Sequence, residues 1–260
     1  MKMECTVTGA RLVARDVAAM TVRAPELAAA CEPGQFAHIY CGGGVYSLTR
    51  RPISISKVEG DELGFLFQIK GEGTRWLAQR RPGETVDLMA PLGKGCYRLP
   101  EQGKVYIAAG GIGYAPVIFL AQRAAARGLD ARMFVGARDS GSIYCLDEME
   151  KLGVPVEVAT EDGGLGERGF VTAPLERAIQ ADKPDLICCC GPEPMLRAVA
   201  RLGRTYGVPV QVSLEQRMAC GVGACKGCVV PVKGRDGVHY RNVCSDGPVF
   251  CGEEVFFDAE

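Results

Sequence analysis

Four cysteines near the C-terminus, Cys220, Cys225, Cys228 and Cys244, are spaced C-x4-C-x2-C-x15-C. The segment that carries them, from Val208 onward, is glycine-rich and too short to bury a core of its own, so it must be held together by other means. Its first three cysteines have the spacing of the plant-type [2Fe-2S] loop. Gly221 and Gly223, in the four-residue gap, let the backbone wrap around a cluster and aim N–H groups at its sulfides. A structural zinc site is the competing assignment. Four-cysteine zinc modules usually use two short knuckles, however, and here the fourth cysteine stands alone. Cys251 follows Cys244 by seven residues and is expected to lie outside a ligand set that Cys244 completes.

The chain has 13 cysteines in 260 residues. Its opening, MKMECTVTGARLVARD, interrupts every apolar stretch with charge, so no signal-peptide core is present and a cytoplasmic location is expected. Thiols stay reduced there, which favours metal binding over a disulfide framework. Cys5, Cys31, Cys41, Cys96 and Cys145 are scattered singly, as small core residues are. The longest apolar region, Val105 to Ala121, contains three glycines and a proline within a strand-to-helix pattern and reads as buried core, not as a membrane span. With 30 basic and 31 acidic residues there is no net field to attract nucleic acid or an anionic membrane, and neither is expected as a partner.

Three stretches differ in pattern. Residues 1–100 show short alternating apolar runs such as Phe36–Tyr40 and Gly64–Ile69, punctuated by Pro-Gly pairs at 33 and 82, which predicts an antiparallel β-barrel. One helix is expected within it, from Thr74 to about Arg81. Residues 101–208 alternate strands and helices, the pattern of a doubly wound parallel sheet. Strands are expected at 104–109, 131–136, 154–159 and 186–190, and helices near 115–127, 145–152, 172–181 and 193–206. Residues 209–260 form the small cysteine-bearing lobe.

Two glycine loops invite nucleotides. Gly71-Glu-Gly73-Thr74 opens a helix whose free N–H groups suit a phosphate, and about twenty residues earlier Arg51-Pro52-Ile53-Ser54 offers a guanidinium fork and a hydroxyl. The second loop, Ala109 to Pro116, joins the first parallel strand to its helix, where doubly wound sheets bind nucleotides. Cys190-Gly191-Pro192 ends another strand at the same carboxyl edge. Cys188 and Cys189 read as buried strand residues, and Cys190, at the strand tip, as a site residue.

The order RPIS, GEGT, GGIGYAP and CGPEPM resembles the ferredoxin–NADP reductase superfamily across essentially the whole chain. The tail, with its cysteine spacing and Cys244-Ser-Asp-Gly-Pro-Val-Phe250, is similar to the electron-transfer subunits of dihydroorotate dehydrogenase B. That resemblance implies an FAD-binding barrel, a nicotinamide-binding domain and a [2Fe-2S] lobe. Arg51, Pro52, Ile53 and Ser54 would hold the flavin and its pyrophosphate, Leu66, Phe67 and Gln68 would line it, and Gly73 and Thr74 would cap the phosphates. Gly111, Gly113, Cys190, Gly191 and Pro192 would frame NAD(H), and the cluster ligands would be Cys220, Cys225, Cys228 and Cys244. It further implies electron flow from the FMN of a dihydroorotate dehydrogenase catalytic subunit, in a heterotetramer of two of each, through the cluster and FAD to NAD+. No side-chain acid or base is then required. The extra Cys251 departs from the pattern and leaves open an alternative ligand or a reactive thiol.

Other assignments compete. Flavin subunits of the NADH-dependent ferredoxin:NADP+ reductase or sulfide dehydrogenase type resemble this chain but have aspartate as first cluster ligand, where Cys220 stands here. Oxygenase reductases need a longer gap before the last cysteine. A non-catalytic zinc-binding module is the alternative from a different class. Arg138 is suited either to a 2′-phosphate or to a solvated loop. Of the two histidines, His38 and His239, neither suggests acid–base chemistry, so the second substrate is expected on a partner protein.

Overall fold

The computed structural model describes residues 1–42 and 50–257. The first third of the chain closes into a barrel. Its strands are β1 (Lys2–Ala14), β2 (Val17–Arg23), β3 (Phe36–Ile39), β4 (Arg51–Glu59), β5 (Glu62–Gln68) and β6 (Thr85–Leu92), with α1 (Pro25–Ala30) after β2 and α2 (Glu72–Ala78) after β5. The order around the barrel is β1-β2-β5-β4-β3-β6, and the paired strands are antiparallel. Closure leaves no open sheet edge. Val22, Ile55, Leu63, Phe65 and Leu88 fill the interior. Among the described residues two helices accompany the barrel where the sequence pattern predicts one. The additional helix, α1, is a short turn-and-a-half begun by Pro25, whose fixed φ suits a first helical position. α2 also starts and stops earlier than the expected 74–81, since its N-cap is Gly71.

Beyond the barrel the chain alternates: β7 (Lys104–Gly110), α3 (Tyr114–Ala126), β8 (Asp130–Ala137), α4 (Leu146–Lys151), β9 (Val156–Thr160), β10 (Glu167–Arg168), α5 (Thr172–Ala181), β11 (Leu186–Cys190), α6 (Glu193–Tyr206) and β12 (Val210–Ser213). These strands are parallel, in the order β10-β9-β8-β7-β11-β12. β7 and β11, at the centre, are apolar on both faces because helices cover both. Cys188 therefore faces one core and Cys189 the other.

The C-terminal stretch adds a hairpin, β13 (Val229–Gly234) with β14 (Gly237–Asn242), and then β15 (Val249–Cys251), which pairs antiparallel with β12 and extends the sheet to seven strands. As its length demands, the lobe has no separate core. Cys228, Val230, Val232, Val243, Cys244 and Phe250 pack into the same apolar cluster as Phe134, Val199 and Val212 of the parallel sheet.

Helix α3 fixes the barrel against the sheet. Phe119, 1 % exposed, inserts into the barrel core. The Gln122 side chain pairs with the end of β4 that runs past its β3 partner, donating to the Val58 carbonyl at 2.7 Å and accepting from the Val58 N–H at 3.2 Å. Lys57 reaches Glu148 of α4 at 3.1 Å. No helix among the described residues is long and apolar enough to cross a membrane.

Candidate functional site

The first cavity, of about 570 Å³, opens between the barrel and the sheet. Arg51, Pro52, Ile53 and Ser54 of β4 form one wall, Leu66, Phe67 and Gln68 of β5 another, and Gly73 and Thr74 of α2 a third. The structure thus brings together all nine barrel residues that the sequence motifs single out. Gly73 is needed where it stands, since a Cβ there would lie 2.9 Å from Nε of Arg51. Without one, the guanidinium lies across the first turn of α2. The Thr74 hydroxyl accepts from the N–H groups of Lys70 and Gly71, at 2.9 and 3.2 Å, and so shapes the loop at the cavity's edge.

The second cavity, of about 930 Å³, lies at the carboxyl edge of the parallel sheet. Gly111, Gly113, Gly191 and Pro192 line it, together with Arg138 and Asp139 beyond β8. Cys190 faces the first cavity instead, at the junction of the two. Burial pushes its thiol pKa far up, so it stays protonated. Gln68, Lys70, Ile112 and Glu215 line both cavities, which therefore share a wall.

Of these four, Ile112 lies within the second glycine loop, whereas Lys70 and Glu215 belong to no motif that the sequence marks as a site. Glu215 follows β12 and precedes the cysteine loop by five residues. Desolvation in the cleft raises its carboxyl pKa, and Lys70 opposes the rise. An isolated Lys or Glu outside any motif carries no signal; only the place of Glu215 between a buried strand and the first cysteine hints at a role.

The four thiols resolve into two pairs. Cys220 and Cys225 are adjacent at the lobe surface: the Val222 and Cys225 N–H groups point at the Cys220 sulfur at 3.5 and 3.4 Å. They hold the Cys220 thiol down at about 6, favouring thiolate. Cys228 and Cys244 are buried, and the Cys244 N–H donates to the Cys228 sulfur at 3.4 Å. The Gly223 N–H reaches across to the Cys244 sulfur at 3.1 Å, tying the two pairs together. Among the described residues no three metal-binding side chains converge as around one ion. A binuclear cluster takes two thiolates per iron, and the neighbouring of Cys220 with Cys225 and of Cys228 with Cys244 suits that division. Cys251 lies apart, on β15 opposite Gln211.

His239 is exposed and bonded to Asp236 at 2.7 Å. His38 is 1 % exposed, and among the described residues neither ring nitrogen completes a well-aligned hydrogen bond, though backbone groups of Arg50 and Cys220 lie close to the ring.

Residues 107–201 match the oxidoreductase NAD-binding domain, and residues 215–256 match the iron-sulfur cluster binding domain of dihydroorotate dehydrogenase B. The chain is 38 % identical over 258 residues to the dihydroorotate dehydrogenase B (NAD(+)) electron transfer subunit of Desulforamulus reducens, covering 98 % of each chain. It is 36 % identical over 260 residues to that of Caldanaerobacter subterraneus subsp. tengcongensis, covering 98 % of this chain and 99 % of the relative. A solved NADH-dependent reduced ferredoxin-NADP oxidoreductase superimposes with a TM-score of 0.84 at 26 % identity, covering 97 % of this chain and 90 % of the other. The ferredoxin reductase in carbazole 1,9a-dioxygenase shares the fold, with a TM-score of 0.68 at 23 % identity over 82 % of this chain and 68 % of that one.

Proposed function

The chain belongs to the electron transfer subunits of dihydroorotate dehydrogenase B (NAD(+)), and on that premise we propose that it passes electrons from a catalytic partner, through a [2Fe-2S] cluster and FAD, to NAD+. The partner in this reading is an FMN-containing dihydroorotate dehydrogenase subunit, in a heterotetramer of two of each. The chain's labour divides into a flavin-binding barrel at 1–100, a nucleotide-binding part at 101–208 and a cluster lobe at 209–260.

The observation that carries the reading is the shared wall: one cavity of each kind, meeting at Gln68, Lys70, Ile112 and Glu215, with the cysteine loop starting five residues beyond Glu215. When bound, FAD supplies the exchange between two-electron hydride chemistry and the one-electron steps a cluster can carry. The protein's own part is positional. Arg51, Pro52, Ile53, Ser54, Leu66, Phe67, Gln68, Gly73 and Thr74 hold the flavin. Gly111, Gly113, Gly191 and Pro192 hold the nucleotide against it, with Cys190 at the meeting point. Cys220, Cys225, Cys228 and Cys244 hold the iron. The outer pair of thiols reaches the surface, which suits electron entry from another protein; the inner pair lies within the core.

Purification of the native complex tests the reading. Iron, acid-labile sulfide and FAD should co-purify with this chain alongside an FMN-bearing subunit, and the complex should reduce NAD+ with dihydroorotate. The isolated chain should oxidise NADH with an artificial acceptor but not oxidise dihydroorotate. Zinc without flavin in the purified chain would overturn it.

A further inference from the structure

His38 connects the flavin wall to the cluster loop. It sits on β3 opposite Pro52 of β4, and Pro52 lines the first cavity. On its other side the ring lies against Gly221, the residue after Cys220. A Cβ on Gly221 would stand 2.7 Å from Nδ1 of His38, so the bare backbone of the cysteine loop rests directly on the imidazole. Gly221 also has φ +71, which favours glycine and turns the chain there. The backbone of His38 is held in turn, since Arg50 donates to its carbonyl at 3.2 Å while bonded to Asp87 at 2.6 Å.

Among the described residues no well-aligned hydrogen bond completes either ring nitrogen of this buried imidazole, although backbone groups of Arg50 and Cys220 stand close to it, and buried polar groups in folded proteins nearly always have full partners. Were packing its only role, an apolar side chain would fill the place without that shortfall. The unmet hydrogen-bonding capacity lies beside the turn that carries Cys220. Resting on the cluster reading above, we propose that His38 is a positioning residue for the cluster: its ring seats the Gly221 turn against the flavin wall and directs a ring N–H to the Cys220 end of the bound iron–sulfur group. Hydrogen bonds to cluster sulfurs stabilise the reduced, more negative state and raise the potential. His38 would thus set both where the cluster sits relative to the flavin and how readily it accepts an electron.

The chain has only two histidines, so ring-15N-histidine labelling gives a direct test. Pulsed EPR of the reduced holoprotein should show weak 15N coupling to the cluster. That coupling should persist in His239→Gln, which leaves His38 as the sole labelled ring. A reduced-cluster signal without histidine coupling, or a coupling that disappears in His239→Gln, overturns the inference alone. A holoprotein with no reduced-cluster signal overturns the functional reading as well. In His38→Phe the cluster potential should shift to more negative values at unchanged iron and FAD content, and His38→Asn should recover part of the shift. Unchanged potentials in both would also overturn the role.

Discussion

Gly113 lies so close beneath Cys190 that a Cβ built on it would stand 2.4 Å from the Cys190 carbonyl oxygen. The loop after β7 and the tip of β11 thus touch backbone to backbone, beside the second cavity that Gly113 and Gly191 line. Gly113 has φ −60, which any residue adopts, so the requirement for glycine is purely steric. Gly113→Ala should push the N-terminus of α3 away from β11 and spoil the second cavity, while the β4, β5 and α2 residues that line the first keep their places. The expected result is a rise in KM for NADH of about tenfold or more, equivalent to roughly 1.4 kcal/mol of lost binding. FAD content should be unchanged. Steady-state kinetics with an artificial acceptor and a flavin spectrum check both halves.

The seam between α3 and β4 invites a second test. Phe119 reaches from the sheet domain into the barrel core, and Gln122 satisfies both backbone groups of Val58. Phe119→Ala leaves a cavity between the two units and should lower unfolding free energy by about 3–5 kcal/mol. Gln122→Leu should be milder, about 1–2 kcal/mol, from unpaired backbone groups at a partly buried edge. On the proposed reading this seam sets flavin against nucleotide, so Gln122→Leu should also slow flavin reduction by NADH in stopped-flow measurements while both ligands still bind. Unaltered reduction kinetics would confine the seam to stability.

Much of this architecture is legible in the order of the residues alone. Pro-Gly pairs at 33 and 82 mark barrel turns, and the strand-glycine-helix run from Val105 places the loop that lines the second cavity. The cysteine spacing marks the lobe. Other features escape for physical reasons. α1 is six residues long, too short for helical periodicity to show. β15 is a three-residue strand whose partner, β12, lies nearly forty residues earlier, so nothing local reveals that the lobe extends the sheet. Lys70 and Glu215 acquire meaning only when the fold sets them between two cavities. His38 reads as one polar residue in a strand whose four positions prove buried.

Acid should expose the Arg50–Asp87 pair. Burial alone would raise the Asp87 pKa, but the hydrogen bond and charge of Arg50, with help from Lys2, outweigh it and leave the pKa below the ordinary 3.8. A carboxyl with a depressed folded pKa contributes stability fully above its unfolded pKa, and loses it as pH falls through the folded value. Arg50→Met should therefore cost on the order of 1–2 kcal/mol at pH 7. The gap from wild type should narrow as pH drops below 3.8. Urea midpoints of the two proteins at neutral and acid pH measure this; a gap that widened in acid would contradict it.

The cysteines allow a graded test of the paired arrangement. Cys228 and Cys244 are 2 % and 1 % exposed and lie within the core that joins the lobe to the parallel sheet, while Cys225 is exposed and Cys251 stands apart on β15. Cys244→Ser removes a thiolate from the inner pair and also places a hydroxyl among apolar neighbours. It should abolish the cluster spectrum and destabilise the lobe. Cys225→Ser changes only a surface group, so the protein should stay folded and keep its FAD and NADH oxidation with artificial acceptors. Its cluster content should fall, and dihydroorotate-dependent NAD+ reduction in the complex should drop by about 100-fold or more, the scale at which loss of a metal site's support shows. Cys251→Ser should change none of these. If instead Cys251→Ser removed the cluster while Cys225→Ser left it in place, the two-plus-two grouping of Cys220 with Cys225 and Cys228 with Cys244 would be wrong, and the exposed β15 thiol would replace Cys225 as a ligand.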